Sequence, residues 1–436
     1  MADLDGDFRF LVESIQRFLG LLSAQALRRP GRDQRGSALA AHIDKTVQGV
    51  KDRVTDAEVE YSKATDDIDR AEGIKQVRLL AGYAYFMQRA LPWLENALES
   101  SLELGALYFI DEMAKAVIGE HTDSVPTRGD EFSTEKWPFE PLFPALKLTV
   151  GSGPLPIVLN FPALEAKSFL LLPLYGHELG HTAVWKHDLV STCLAPVRAD
   201  GDFPVKFNVA RDALATAQGF SKHRAQLIID ERLEHWTEEL LCDQVGLQYL
   251  GPAFLLAFAT YLVALSWNDP GPRHPPTTMR VAHLLNWIDD QGWTTLLEDR
   301  LPGTLIWLRE VAAAPRPSTA SPVSFLLDTM EDVRSHATSS VRAALGSAVY
   351  LPQDYDPVAA HIDGLLAHEI LPVQRSDDGR PFDARTIMFA GWLSIFDEIG
   401  EDSGVGLCRA LAREESHEFF TKALEMRSVL ERWQKL

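Results

Sequence analysis

The segment LLPLYGHELGHTAV constrains this chain more than any other stretch. His177 and His181 are four residues apart, so on a helix they stand one turn apart on the same face, where two imidazoles can grip one metal ion with Glu178 beside them. Such a pair is half a site: a second element must bring a further ligand, and the helix carrying the histidines must be buried against it. The flanks agree with burial, since Tyr175, Gly176, Leu179, Gly180, Thr182 and Ala183 are all uncharged. Gly180 lowers helix propensity by about 1 kcal/mol relative to Ala, which is accounted for if another element or a substrate passes closely there.

A catalytic zinc site needs a third protein ligand and an open position for water, and two candidates present themselves. His187 completes HExxHTAVWKH, the ligand spacing of metzincins, but their consensus turn requires Gly where this chain has Val184, and a β-branched residue suits that backbone poorly. The second candidate lies in HWTEELLCDQVGLQYLGPAF, a helical pattern in which Glu239 and Asp243 share one face. Glu239 can ligate the ion, and Asp243 can accept a hydrogen bond from the non-ligating nitrogen of a bound histidine. Glu238 points about 100° away and is expected to be solvated, while His235 shares the Glu239 face as a pocket or packing residue. Cys242 is expected to be a small buried thiol rather than a ligand. Trp236, Trp267 and Trp287 are expected in the core.

An HExxH followed by a distant ExxxD resembles the gluzincins. The gap between His181 and Glu239 is too long for thermolysin itself and is similar to that of the HtpX-like and CAAX-prenyl-endopeptidase family. RHPPTTMRVAHL, with His274 and Arg280, is similar to the HPPxxxRIxxL segment that follows the glutamate helix in that family. The resemblance spans roughly residues 140 to 290. It implies a helical catalytic core with a small β element beside the cleft, and a zinc-dependent endopeptidase using a Glu-assisted, metal-bound water. By position it makes His177, His181 and Glu239 the zinc ligands, Glu178 the general base and Asp243 the residue orienting a bound histidine. His274 would face the substrate carbonyl and Arg280 would support the site, unless both merely fix the turn at Pro275 and Pro276. The chain departs from the family in lacking transmembrane helices, in carrying Cys242 where a small alanine is usual, and in its flanks. The competing readings are a binding or scaffold protein with an inactive or structural zinc site, and a zinc hydrolase acting on a non-peptide amide.

Around this core the apolar spacing is helical from Phe8 to about Gly119, from Ala166 to about Leu301, and again after Pro322. KATDDIDRAEGIK reads as a solvated helix face or an exposed turn. PALKLTV and PIVLNF are β-type runs joined by Gly151-Ser152-Gly153-Pro154, a hairpin whose edge an extended peptide could join. AAAPRPSTASP has linker composition. The expected fold is therefore mainly α: a zincin-like core over 131–305 with a small β-sheet or hairpin, between helical regions at 1–130 and 306–436. The apolar run Gly251–Trp267 is interrupted by Thr260 and Tyr261 and is shorter than the roughly 20 residues of a membrane span, so a buried core helix is expected.

Charge and cysteine content narrow the partners. With 42 Lys and Arg against 62 Asp and Glu, the formal net charge of -20 repels nucleic acid and anionic lipid. Cys193, Cys242 and Cys408 form no CxxC pair, which fits a reducing compartment. The acidic start MADLDGDFRF is unlike a secretory signal, so a cytoplasmic protein with a protein or peptide substrate and no membrane insertion is expected. The sequence says nothing about oligomeric state.

Overall fold

The computed structural model describes residues 4–28, 34–98, 104–119, 122–129, 133–136, 155–162, 168–264, 270–313, 321–375, 379–400, 402–410 and 413–434. These are mainly helical. The chain divides into two units, Met1–Ser101 with Glu120–Ala163, and Leu102–Gly119 with Leu164–Leu436.

In the first unit, α1 (Leu4–Arg28), α2 (Gln34–Lys63) and α3 (Asp67–Leu98) pack side by side. Each repeats apolar residues three or four apart, as in Phe8, Val12, Ile15, Leu19 and Leu22 or Ile74, Val77, Leu80, Ala84 and Met87, and these stripes form one shared core. Phe8 stacks on Tyr61 with ring centroids 3.8 Å apart. The charged run KATDDIDRAEGIK makes an exposed turn and enters α3, whose first turn is capped: Asp66 Oδ1 accepts from the Ile68 and Asp69 amides.

Three strands belong to the same unit. β3 (Leu155–Pro162) lies between β1 (Thr122–Gly129), to which it is parallel, and β2 (Ser133–Lys136), to which it is antiparallel. PIVLNF falls in β3, whereas its expected hairpin partner PALKLTV lies outside the described residues. The hairpin is therefore not shown. These strands sit in the unit without the histidine pair, so among the described residues no strand is shown in the unit that carries it.

The second unit is helical. A buried 3-10 turn, Phe169–Leu174, leads into the histidine helix Tyr175–Lys186. Antiparallel to it runs the glutamate helix Lys222–Leu250, started by Ser221, whose hydroxyl accepts from the Arg224 amide at 3.2 Å, and stopped at Gly251 with φ 61°. From Glu239 to Leu250 every residue of that helix is buried, which is why its apolar pattern has no clear sidedness. The run after Gly251 forms the helix Pro252–Ala264, with Ala253 to Thr260 buried, as expected for a core helix. Among the described residues no helix is long and apolar enough to cross a membrane.

The unit extends beyond the expected core at both ends. α4 (Leu104–Ile118) packs against the histidine helix and the last helix, Glu414–Gln434, where Arg427 Nη2 donates to Glu112 Oε1 at 2.8 Å. The helix Ser321–Leu345 packs against the glutamate helix. In place of a division at 130 and 305, α4 and the C-terminal region belong to the same unit as the histidine pair. Their apolar faces are buried in that unit, a pairing that composition along the chain does not reveal. Residues 314–320 of the expected linker lie outside the described residues.

Candidate metal centre

Glycine lets the two site helices meet at backbone distance. A Cβ on Gly180 would lie 2.8 Å from Cys242 Cα, and one on Gly176 would lie 2.9 Å from Gly246 Cα. The close neighbour that Gly180 implied is therefore the glutamate helix.

At this crossing His177 Nε2 stands 3.5 Å from Glu239 Oε2, and His181 Nε2 stands 3.7 Å from Glu239 Oε1. The three ligand atoms lie within 4.8 Å of one another. Bonds of about 2.0–2.2 Å in tetrahedral coordination put ligand atoms about 3.3–3.5 Å apart, so small side-chain movements would let the three share an ion. The imidazole planes are 89° apart.

The outer contacts select the same atoms. His177 Nδ1 is 2.8 Å from Asp243 Oδ1 and His181 Nδ1 is 3.0 Å from Glu238 Oε1. With Nδ1–H donating to a carboxylate, each ring presents the Nε2 lone pair. Glu239 Oε2 is buried and has no hydrogen-bond partner among the described residues. The Glu239 carboxylate thus offers Oε2 towards His177 and Oε1 towards His181, and two imidazole nitrogens with one carboxylate are a donor set that fits a divalent metal ion.

Asp243 and Arg280 are both buried and paired two-to-two. Arg280 Nε donates to Oδ2 and Nη2 to Oδ1, each at 2.7 Å. Nη2 also stands 3.3 Å from Glu239 Oε2, and the guanidinium lies over the Phe258 ring, 4.8 Å from its centroid. Burial would raise the Asp243 pKa, but Arg280 and His177 outweigh it and hold the carboxyl below its usual range. Burial pushes the Cys242 thiol up to about 12, so it is uncharged at neutral pH. Burial opposes a charge on His181, while Cys242 beside it and the carboxylates of Glu238 and Glu239 favour one and raise its pKa, so an ion binding at Nε2 must displace a proton there.

The remaining sequence candidates separate clearly. Glu178 is half-buried beside His177, and burial together with its charge raises the pKa of the Tyr175 hydroxyl. His274, 57% exposed, places Nε2 3.6 Å from Glu239 Oε1. Burial lowers its pKa, with Glu239 opposing and Arg280 adding to the fall. Its loop is held by the Gly271 amide donating to the His274 carbonyl at 3.0 Å and by Trp236 Nε1 donating to the Gly271 carbonyl at 3.1 Å. Arg280 is buried, hydrogen-bonded to Asp243 and ion-paired with Glu239. His187 is the exposed C-cap of the histidine helix and is no part of the cluster. His235 is half-buried, Cys242, Trp236 and Trp287 are buried, and Trp267 lies outside the described residues.

Glu238 extends the sequence reading. Off the Glu239 face, it is partly solvated as expected, at 37% exposed, but it also accepts from the second histidine, a contact the spacing does not predict. The available signal was one of stoichiometry: two ring Nδ1–H groups need two acceptors, and Asp243 serves one. No protein-family model, curated protein or solved structure matches the chain.

Proposed function

We propose that this protein is a zinc-dependent endopeptidase of the gluzincin kind, with His177, His181 and Glu239 holding the ion. The observation that carries the proposal is the convergence of two Nε2 atoms on the buried Glu239 carboxylate, His177 at Oε2 and His181 at Oε1, with each Nδ1 already held by a carboxylate. Zinc bound there would lower the pKa of a coordinated water to about 7 and polarise the substrate carbonyl.

The chain's own residues supply the rest. Glu178, next to His177 on the ligand helix, takes the proton of the attacking water and returns it to the leaving amine, so one carboxyl serves as base and then as acid. His274 is half-exposed and its lowered pKa keeps it neutral near pH 7, which suits it to donate a hydrogen bond to the carbonyl oxygen as charge develops. Loss of one such donor typically costs about 3 kcal/mol of transition-state stabilisation. Asp243 and Arg280 act through the ligands, fixing His177 and Glu239. The substrate is a protein or peptide.

Elemental mass spectrometry on protein purified without added metal tests the site. Wild type is expected to carry near-stoichiometric zinc, lost in Glu239→Ala and kept in His187→Ala; zinc lost only in His187→Ala would transfer the site to the metzincin arrangement. Glu178→Gln should keep zinc and abolish hydrolysis found in a peptide and amide substrate screen. Unchanged function in that variant would favour the scaffold reading with a structural ion, and cleavage confined to non-peptide amides would change the substrate class.

A further inference from the structure

We propose that Glu238 is the positioning residue for His181 and sets how tightly the site retains its ion; the inference rests on the zinc reading. The two histidines are one turn apart on their helix, and the facing helix runs the other way, so Gly176 meets Gly246 and Gly180 meets Cys242. This register puts Asp243 beside His177 and brings the preceding turn of the glutamate helix to His181. There Glu238 Oε1 stands 3.0 Å from Nδ1. One helix thus supplies the carboxylate ligand from Glu239 and an anchor for each histidine from the residues on either side of it.

The anchor decides which ring nitrogen is available. A neutral imidazole carries one N–H, and an acceptor at Nδ1 keeps that proton there, leaving the Nε2 lone pair aimed at Glu239. Without the acceptor the ring can turn about its Cβ–Cγ bond or take the other tautomer, and both remove a ligand atom. The two anchors differ in setting. Asp243 is 3% exposed and bonded two-to-two with Arg280, whereas Glu238 is 37% exposed, and His181 at 30% is more open than His177 at 12%. The His181 arm is the side of the site that water reaches, so retention of the ion is governed there.

Two measurements on the full chain test this. Zinc affinity, read by competition with a chromogenic chelator, should fall about 10- to 100-fold in Glu238→Ala, the usual effect of removing such an outer partner. Glu238→Gln should restore most of it, because the amide oxygen still accepts from Nδ1–H. In the metal-free protein the downfield proton spectrum should show a hydrogen-bonded imidazole N–H resonance from each of His177 and His181, beside that of His417, which donates to the Ala410 carbonyl; Glu238→Ala should remove the His181 resonance and leave that of His177. An affinity within twofold of wild type in Glu238→Ala, or the His181 resonance retained, overturns the proposal while leaving the zinc site standing if Glu239→Ala still abolishes binding. Wild type that takes up no zinc overturns the zinc reading and the retention role together, and the resonances then report the anchoring alone.

Discussion

At the scale of single residues the site is governed by charges that stay buried only because they are paired. Asp243 is held ionised by Arg280, and the pair in turn fixes His177 and the back of Glu239. Removing one member of such a pair leaves an uncompensated charge in the interior, which typically costs about 3–5 kcal/mol. Arg280→Ala should lose stability of that order in denaturant unfolding of the metal-free protein. Arg280→Lys should recover only part, since an ammonium cannot make the two parallel bonds. His274→Phe belongs to the same scale with the opposite signature: stability and zinc content unchanged, hydrolysis down about 100-fold. The histidine pair and the Glu239/Asp243 face were legible because helical spacing alone aligns them. Glu238 was not, because its partner lies on another helix and no spacing within its own helix points to it.

Between elements, the crossing of the histidine and glutamate helices depends on glycine. Gly180→Ala should raise local helix propensity by about 1 kcal/mol. It would also drive a methyl group to 2.8 Å from Cys242 Cα, where the contact is backbone and cannot swing aside. Overpacking of this kind costs about 1–3 kcal/mol, so thermal unfolding should show net destabilisation, with weaker zinc binding as the helices separate. Gly82→Ala in α3 is the control. Nothing lies within 4 Å of its would-be Cβ, so the same substitution should stabilise by about 0.5–1 kcal/mol. The sequence signalled a close approach at Gly180, and the fold identifies the neighbour. Helix positions were equally readable from apolar periodicity, while the strands were read only in the part that became β3.

Over the whole molecule, the second unit is closed by contacts between distant parts of the chain. Glu112 on α4 and Arg427 on the last helix are joined by two hydrogen bonds, and Arg427 Nε also donates to the Phe382 carbonyl at 2.7 Å. Burial raises the Glu112 pKa, with Arg427 opposing. An acid whose folded-state pKa lies above its unfolded value favours folding when protonated and penalises it as pH rises through that range. Arg427→Ala removes the opposing charge, so its stability deficit should be largest near pH 7, about 1–3 kcal/mol after allowing for Glu112 being over a third exposed. The deficit should shrink as pH falls towards 4 and persist in part below, because the Phe382 carbonyl has also lost its donor. Denaturant unfolding of wild type and variant at both pH values measures this.

By itself the sequence determined what repeats within an element: the stripes that make α1 to α3 a bundle, the two histidines one turn apart, the Glu239 and Asp243 face, and a helix after Gly251 too interrupted to span a membrane. Tertiary structure decided what depends on which surfaces meet. It placed Glu239 beside the two histidines and left His187 outside the cluster, turned Glu238 towards His181, buried Arg280 against Asp243 and Glu239, and joined α4 to the C-terminal region. The physical reason is that backbone periodicity fixes the direction of a side chain within its own helix, whereas the partner it faces is set by close packing and by pairing of buried charge between segments far apart in the chain.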